Sequence, residues 1–251
     1  MILKAPGYPG ISRFFVSHGI VPLTLFILAA AWLETSTLDL RLAGYFYDPV
    51  SASWPWRHHW LTSDLLHTDA RYLTLLIALL ILGTAIASQL HPPWKRFRKA
   101  TLFLCCGLLL GPVLVLLAKH ITNIDCPWHL TDFGGTHTYL RLLETRPSGY
   151  GSVECFPAGH ASSGYAFLIV YFFNRRFAYR FRHLGLLAGL APGLVFGIAQ
   201  QARGAHFFSH DLWSLACCWF SQMSVYLLFY RDYERRLVTT RGVSIPKASE
   251  I

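Results

Sequence analysis

The chain has 251 residues, of which 53% are hydrophobic and only 14% are charged, and its formal net charge is +9. Ordinary soluble domains carry about 25% charged residues, so this composition argues against a soluble protein and indicates an integral membrane protein. The basic residues fall between the apolar blocks, as in the loops that connect membrane-spanning helices. The positive charge therefore does not indicate a nucleic-acid partner, and none is expected.

The apolar blocks predict six spanning helices in a single membrane-embedded domain over residues 1–251, since about 20 mostly apolar residues cross a bilayer. The predicted spans cover residues 20–33, 72–88, 101–118, 161–173, 184–202 and 212–230. The predicted fold class is therefore all-α, a polytopic six-helix bundle. No clear cleavage site follows the first block, so we expect the first helix to be retained.

Four basic clusters set the predicted orientation of the bundle. They lie within residues 4–13, 95–99, 175–182 and 231–247. With six spans, all four fall on one side, and the positive-inside rule makes that side the cytoplasm. The sequence thus predicts a multi-pass protein of the bacterial inner membrane with both termini in the cytoplasm. The basic clusters are expected to face anionic membrane lipids.

The opposite side holds a Trp-rich segment around Trp54, Trp56 and Trp60, which is typical of a membrane–water interface. It also holds a long connection, residues 119–160, and loops of this length are usually functional. Cys126 and Cys155 are the two cysteines on this side. If this compartment is the oxidising periplasm, a disulfide between them would tie the start of the connection to its end.

Three short segments on this side gather basic groups at the ends of predicted helices. Lys119 ends the third helix, Gly159 and His160 begin the fourth, and Arg203 and His206 precede the sixth. A single Lys or His at a helix end is often only an anchor or a cap. Three such segments on one side favour an anion site, because helix N-termini and cations both bind phosphate. The predicted ligand is a phosphate group carried by a lipid.

These segments resemble the motifs of the type 2 phosphatidic acid phosphatase superfamily, which includes integral-membrane lipid phosphatases, soluble bacterial acid phosphatases and vanadium haloperoxidases. The family pattern is Lys-x6-Arg-Pro, then Pro-Ser-Gly-His, then Ser-Arg-x5-His-x3-Asp. This chain has Lys119-x6-Cys126-Pro127, then Pro157-Ala158-Gly159-His160, then a third segment containing Gly204-Ala205-His206. The motif-bearing region spans residues 119–214, and the six-helix layout resembles the membrane branch of the family.

The resemblance implies a metal-independent phosphoric-ester or diphosphate hydrolase that needs no cofactor. It makes His206 the nucleophile that forms a phosphohistidine and His160 the acid that protonates the leaving group. The implied phosphate-binding groups are Lys119, Arg203 and the backbone around Ala158 and Gly159.

The chain departs from the family pattern at several of these positions. Cys126 replaces the first arginine, Ala158 replaces the serine, and Gln200 stands six residues before His206 in place of the second arginine. Arg203 is expected to substitute for it, and Arg141 or Arg146 of the long connection could assist.

The group that orients His206 stays open at this point. His210 occupies the family's aspartate position, four residues after His206, and Asp211 follows it. A carboxylate can hold an imidazole in one tautomer, whereas His210 could accept a hydrogen bond with less charge stabilisation. In an alternative register His210 itself is the nucleophile, with Ser214 four residues further on.

Other functions stay open as well. His206 and His210, joined by His120 and His160, could form a metal site; a chelator would separate this from the phosphohistidine mechanism. A transporter or scaffold is disfavoured because the polar cluster lies at one face and the second and third spans lack charged cores. A lipid phosphotransferase would use the same histidine. Polyprenyl diphosphate, lipid A phosphate and glycerophospholipid phosphates all fit as substrates, and the oligomeric state is not predicted.

Overall fold

The computed structural model describes residues 11–239, and the side chains of residues 11–235. The basic residues Lys4, Arg241 and Lys247 lie outside the described residues. Within residues 11–239 the chain is helical and has no β-strand. The helices are α1 (Ile11–Thr35), α2 (Leu38–Gly44), α3 (Leu61–Leu90), α4 (Arg98–Thr122), α5 (Gly159–Tyr165), α6 (Ile169–Phe177), α7 (Arg182–Ala202) and α8 (Phe208–Thr239), the last kinked at Tyr230.

Five of the helical segments in the described part are long and apolar enough to cross a membrane, namely those containing α1, α3, α4, α7 and α8. Each overlaps one of the predicted spans. The protein is therefore a multi-pass, all-helical membrane protein. The fourth predicted span, residues 161–173, is helical but does not meet the same criteria of length and hydropathy.

The segment around this fourth predicted span consists of α5 and α6 joined by a 3₁₀ turn at Ala166–Leu168. It carries the polar residues Ser162, Asn174 and Arg175, which lower its hydropathy. Most of its side chains are buried against other helices. The segment therefore forms the core of the bundle, and the count of six spans stays a prediction.

Glycines on α7 allow this central segment to lie close to it. Gly185, Gly189 and Gly193 recur every four residues and are all buried. A Cβ added at Gly189 would overlap the backbone of Leu168, and one added at Gly193 would overlap the ring of Tyr165. Small residues at this spacing permit close helix packing in membranes, so the glycine pattern determines how α5 and α6 pack on α7.

A buried ion pair joins α6 to α8 at one end of the bundle. Arg175 donates from Nε and Nη2 to the carboxylate of Glu234, at 2.7 and 3.0 Å, and the Tyr226 hydroxyl donates to the same carboxylate at 2.5 Å. Both charged side chains are almost fully buried. The basic cluster within residues 95–99, between α3 and α4, lies at this same end, where Lys99 Nζ is 5.0 Å from the ring centroid of Tyr230.

The ends of four helices meet at the other end of the bundle. The C-termini of α4 and α7 lie there, together with the N-termini of α5 and α8. The three basic segments identified in the sequence occupy these four helix ends. The bundle thus brings together residues that are far apart in the chain.

Candidate active site

Lys119, in the last turn of α4, lies against the first residue of α5. A Cβ at Gly159 would stand 2.9 Å from Lys119 Cε, so the glycine leaves room for the lysine stem. Lys119 Nζ donates to the carbonyl of Glu154 at 2.6 Å. The start of α5 is in turn held by α8, since Ala158 N donates to the His210 carbonyl at 3.2 Å and Ser214 Oγ donates to the Ala158 carbonyl at 2.9 Å.

His206 follows a tight turn between α7 and α8. Gly204 in this turn has φ +74°, and a side chain there would also overlap the indole of Trp54. The turn is closed by a hydrogen bond from Ala205 N to the Gln200 carbonyl at 2.9 Å. His206 is 8% exposed. Burial, together with the charge of Lys119, lowers the pKa of His206 well below its usual value, so its ring is neutral at ordinary pH.

The side chain in contact with His206 is His210. Their Nδ1 atoms are 3.4 Å apart, with one ring donating and the other accepting. Asp211 points elsewhere: its carboxylate accepts a hydrogen bond from Gln201 and packs over Gly197. Successive residues of a helix point about 100° apart, so only one of the two can face His206. The structure therefore places His210, and not Asp211, beside the candidate nucleophile.

His160 and Arg203 lie beside this centre and are engaged with backbone carbonyls. His160 Nε2 donates to the Leu66 carbonyl at 2.5 Å, and its ring contacts those of Phe196 and His67 in tilted arrangements, with centroid distances of 4.8 and 5.0 Å. Arg203 Nε donates to the carbonyl of Arg57 at 3.1 Å. Both side chains thus face α3 and the segment before it.

A pocket of about 460 Å³ opens at this end of the bundle. Its lining includes Lys119, Cys126, His129, Cys155, Gln200 and His206. Of the basic residues that the sequence predicts for the site, Lys119 and His206 line it. His160 and Arg203 do not, because they are turned toward the carbonyls of Leu66 and Arg57.

A disulfide forms part of the pocket wall. Cys126 and Cys155 are bonded, with their Cα atoms 5.2 Å apart. The bond links the residues just after α4 to those just before α5. The position of the family's first arginine is therefore occupied by a cross-link instead of a phosphate-binding cation.

The long connection is also organised by Asp125, which the sequence analysis did not identify. Its carboxylate accepts from Arg146 at 2.6 and 3.2 Å and from His137 at 2.8 Å, and His129 Nδ1 lies 3.3 Å away. Arg146 is thus held away from the pocket. Arg141 lines a separate small cavity, so neither loop arginine reaches the pocket lining.

The four histidines of the alternative metal site do not come together. His120 pairs with Glu154 at 2.9 Å and His160 with the Leu66 carbonyl. In the described residues, Asp125, His129 and His137 do converge. However, Arg146 neutralises Asp125, and the indole of Trp128 donates to His129 Nε2 at 2.9 Å. That bond leaves the proton of a neutral His129 on Nδ1, the atom that would have to bind the metal.

Asp39 is a further residue that the sequence analysis missed. Its carboxylate accepts a hydrogen bond from the backbone N of Ser209 at 3.0 Å, in the first turn of α8. Asp39 is buried, and burial raises its pKa. It supports the helix that carries His210. Because 170 residues separate the two partners, no local sequence pattern indicates this contact.

The comparisons with known proteins agree with this architecture. The family model of the PAP2 superfamily matches residues 100–234, which is more than half of the chain. The fold is similar to that in the crystal structure of the first transmembrane PAP2 type phosphatidylglycerolphosphate phosphatase from Bacillus subtilis, with a TM-score of 0.53. The two chains are 14% identical, and the match covers 87% of this chain and 96% of the other. No curated protein sequence matches this chain significantly. The extent of the family match shows that the chain belongs to the PAP2 superfamily.

Proposed function

We propose that the protein is an integral-membrane lipid-phosphate phosphatase that acts through a phosphohistidine on His206. Membership of the PAP2 superfamily supports this class of function, and the structurally similar Bacillus protein is itself a phosphatidylglycerolphosphate phosphatase. The observation that carries the proposal is the buried His206 in a pocket of about 460 Å³, with Lys119 in the same lining.

The proposed reaction has two steps. His206 Nε2 attacks phosphorus in line, a P–N bond forms, and the bond from phosphorus to the lipid oxygen breaks. His160 gives a proton to the departing oxygen and is left neutral, for which its ring must first turn from the Leu66 carbonyl and be protonated beside the bound phosphate. Burial lowers the pKa of His160, so the anionic substrate must supply the charge that favours its protonated form. Water then attacks phosphorus and gives its proton to the neutral His160, the P–N bond breaks, and inorganic phosphate leaves.

The contact with His210 suits His206 for the first step. If His206 donates from Nδ1 to His210, its Nε2 keeps a free lone pair for attack. The low pKa of His206 keeps the ring neutral before the reaction. His210 is therefore proposed as the positioning residue, a role that Asp211 cannot fill from its place beside Gln201.

The phosphate would be held by Lys119 and by the backbone N–H of Gly159, where α5 begins; the N–H of Ala158, which the sequence also suggested, already donates to the His210 carbonyl. Lys119 supplies a full positive charge at the pocket, and charge-assisted hydrogen bonds are the strong ones. Its present acceptor, the Glu154 carbonyl, is neutral, so an anionic phosphate would compete well for the ammonium group.

We further propose that the protein lies in a bacterial inner membrane with both termini in the cytoplasm and the pocket facing the periplasm. The basic connections α3–α4 and α6–α7 lie at the end opposite the pocket, as the positive-inside rule requires. A disulfide at the pocket end suits an oxidising compartment. A reporter fused to the C-terminus should then report a cytoplasmic location; a periplasmic location would contradict this orientation.

The function is tested with purified protein in detergent and a panel of polyprenyl diphosphate, lipid A phosphate, phosphatidylglycerol phosphate and phosphatidate. We expect phosphate release from at least one lipid, loss of turnover in His206→Ala, and normal turnover in the matched variant His91→Ala, which changes an exposed histidine after α3. A chelator should leave turnover intact. Near-normal activity of His206→Ala would contradict the mechanism, and transfer of phosphate to a second lipid instead of water would indicate a phosphotransferase.

A further inference from the structure

Gln200, in the last turn of α7, has a side-chain amide whose oxygen is hydrogen-bonded and whose nitrogen is not. The side chain is 3% exposed and lines the same pocket as Lys119 and His206. Its Oε1 accepts a hydrogen bond from Arg203 Nη1 at 3.2 Å. Its Nε2 is buried and has no hydrogen-bond partner among the described residues.

The contact with Arg203 assigns the orientation of this amide. A guanidinium group has only donors, so the Gln200 atom that it meets must be the oxygen. The amide nitrogen is therefore the end left without a partner. Buried donors are almost always paired in folded proteins, and an unpaired one on the wall of a pocket indicates a ligand that carries acceptor oxygens.

Arg203 is itself fixed in place. Its Nε donates to the carbonyl of Arg57 at 3.1 Å while its Nη1 holds Gln200. Arg203 lies one turn beyond Gln200, outside the pocket lining. A cation bound to the amide oxygen draws electron density from the amide nitrogen, and this makes the N–H groups better donors.

We propose that Gln200 is a phosphate ligand, with Nε2 donating to a non-bridging phosphoryl oxygen of the substrate bound near Lys119 and His206. Arg203 is a positioning residue, which acts on the phosphate through Gln200 and does not touch it. The proposal rests on the proposed function, and it assigns a ligand to a position where the resembling family has an arginine. The neutral amide of Gln200 replaces the charge of the family's arginine at the pocket wall. The charge of Arg203 lies next to the amide oxygen, outside the pocket lining.

The test uses two variants that keep the size of the side chain. Gln200→Met removes the donor and the contact with Arg203. Gln200→Glu keeps an oxygen for Arg203 but presents a carboxylate to the phosphate. The measured quantities are kcat/KM for the best lipid phosphate, the inhibition constant of orthovanadate, and the thermal midpoint. The control is Gln89→Met in α3, a glutamine whose side chain bonds only to Ala85 and Ser88 of the same helix.

We expect Gln200→Met to lower kcat/KM on the order of 10²-fold, as for loss of one transition-state donor, and to weaken vanadate inhibition by at least tenfold. Gln200→Glu should lose more than Gln200→Met, although its shape is closer to the native side chain. Gln89→Met should match the wild type. If Gln200→Met does not fold, Gln200→Asn, whose shorter amide cannot reach both partners, should show the same losses.

The role of Arg203 is tested by a double variant. If Arg203 acts through Gln200, Arg203→Met should weaken vanadate inhibition in the wild type and have no further effect in Gln200→Met. Fully additive effects would overturn the positioning role and indicate that Arg203 binds phosphate directly.

Failure of this proposal can be told apart from failure of the proposed function. If the wild type releases phosphate and Gln200→Met stays within threefold of it in both kcat/KM and vanadate inhibition, the Gln200 assignment is overturned and the phosphatase function stands. If the wild type hydrolyses no lipid, the function fails, and direct vanadate binding to wild type and Gln200→Met still decides the assignment. A wild type that binds no vanadate would overturn both.

Discussion

Removal of the Cys126–Cys155 disulfide is expected to lower the free energy of unfolding by up to about 3.6 kcal/mol. The sequence separation of the two cysteines is 29, and the loop-closure entropy released for a loop of that length gives about 3.6 kcal/mol at 25 °C. For a domain of this size, 1 kcal/mol corresponds to roughly 2–4 °C in Tm. The expected loss is therefore at most roughly 7–14 °C.

The measured loss should fall below this limit, because the reduced, unfolded chain keeps residual structure and so gains less entropy than the loop-closure model gives. Thr122 Oγ1 donates to the Phe156 carbonyl at 2.6 Å, and Arg146 donates to Asp125 at the same distance. These contacts keep the ends of the connection close to one another in the reduced protein. Both cysteines line the pocket, so we also expect a lower kcat/KM.

The assay compares Cys126→Ser/Cys155→Ser with the matched variant Cys106→Ala/Cys217→Ala, which removes two thiols that are unpaired in the fold. Thermal midpoints are measured with and without a reductant. The wild type and the matched variant should lose stability on reduction, and the Cys126→Ser/Cys155→Ser protein should not respond. Two free thiols at these positions in protein from an oxidising compartment, or a midpoint that neither the substitution nor the reductant changes, would refute the reasoning.

Three further predictions follow from single contacts. Asp39→Ala removes the acceptor at the start of α8 and should lower stability by about 1 kcal/mol in thermal unfolding. Glu234→Gln leaves Arg175 buried without a counter-charge and should lower stability by about 3–5 kcal/mol, while a double variant that also has Arg175→Met should recover much of the loss; an equal loss in both would contradict the ion-pair argument. In the phosphate-release assay, His210→Phe should lower kcat/KM on the order of 10²-fold and Asp211→Asn by less than threefold; the reverse order would restore the carboxylate as the orienting group.

Much of the bundle could be predicted because spanning helices are encoded locally. A block of apolar residues such as 101–118 must be helical in lipid, since its backbone has no other hydrogen-bond partners there. The fourth predicted span shows the limit of this reasoning. Residues 161–173 are apolar enough to be noticed, but they pack among other helices, and the glycines that permit this are on α7, more than ten residues away.

The candidate site was predictable to the level of its helix ends and not beyond. Lys119, Gly159 and His206 come together because each lies at or beside a helix end on the same side of the bundle. The direction in which each side chain points depends on partners elsewhere in the chain. The hydrogen bond to the Leu66 carbonyl turns His160 away from the pocket, and Leu66 lies 94 residues from His160 in the sequence.

Two arginines of the family pattern are absent from this chain, and the residues that replace them determine how this pocket differs from that pattern. At the first position Cys126 bonds Cys155, and the residue holds the pocket wall instead of a phosphate. At the second position Gln200 places an amide at the wall with Arg203 behind it. Each change removes a full positive charge from the pocket lining, whereas Lys119 keeps its place there. Because charge-assisted hydrogen bonds to phosphate are the strong ones, this pocket should bind free phosphate more weakly than one with both arginines, and turnover should then be less sensitive to product inhibition.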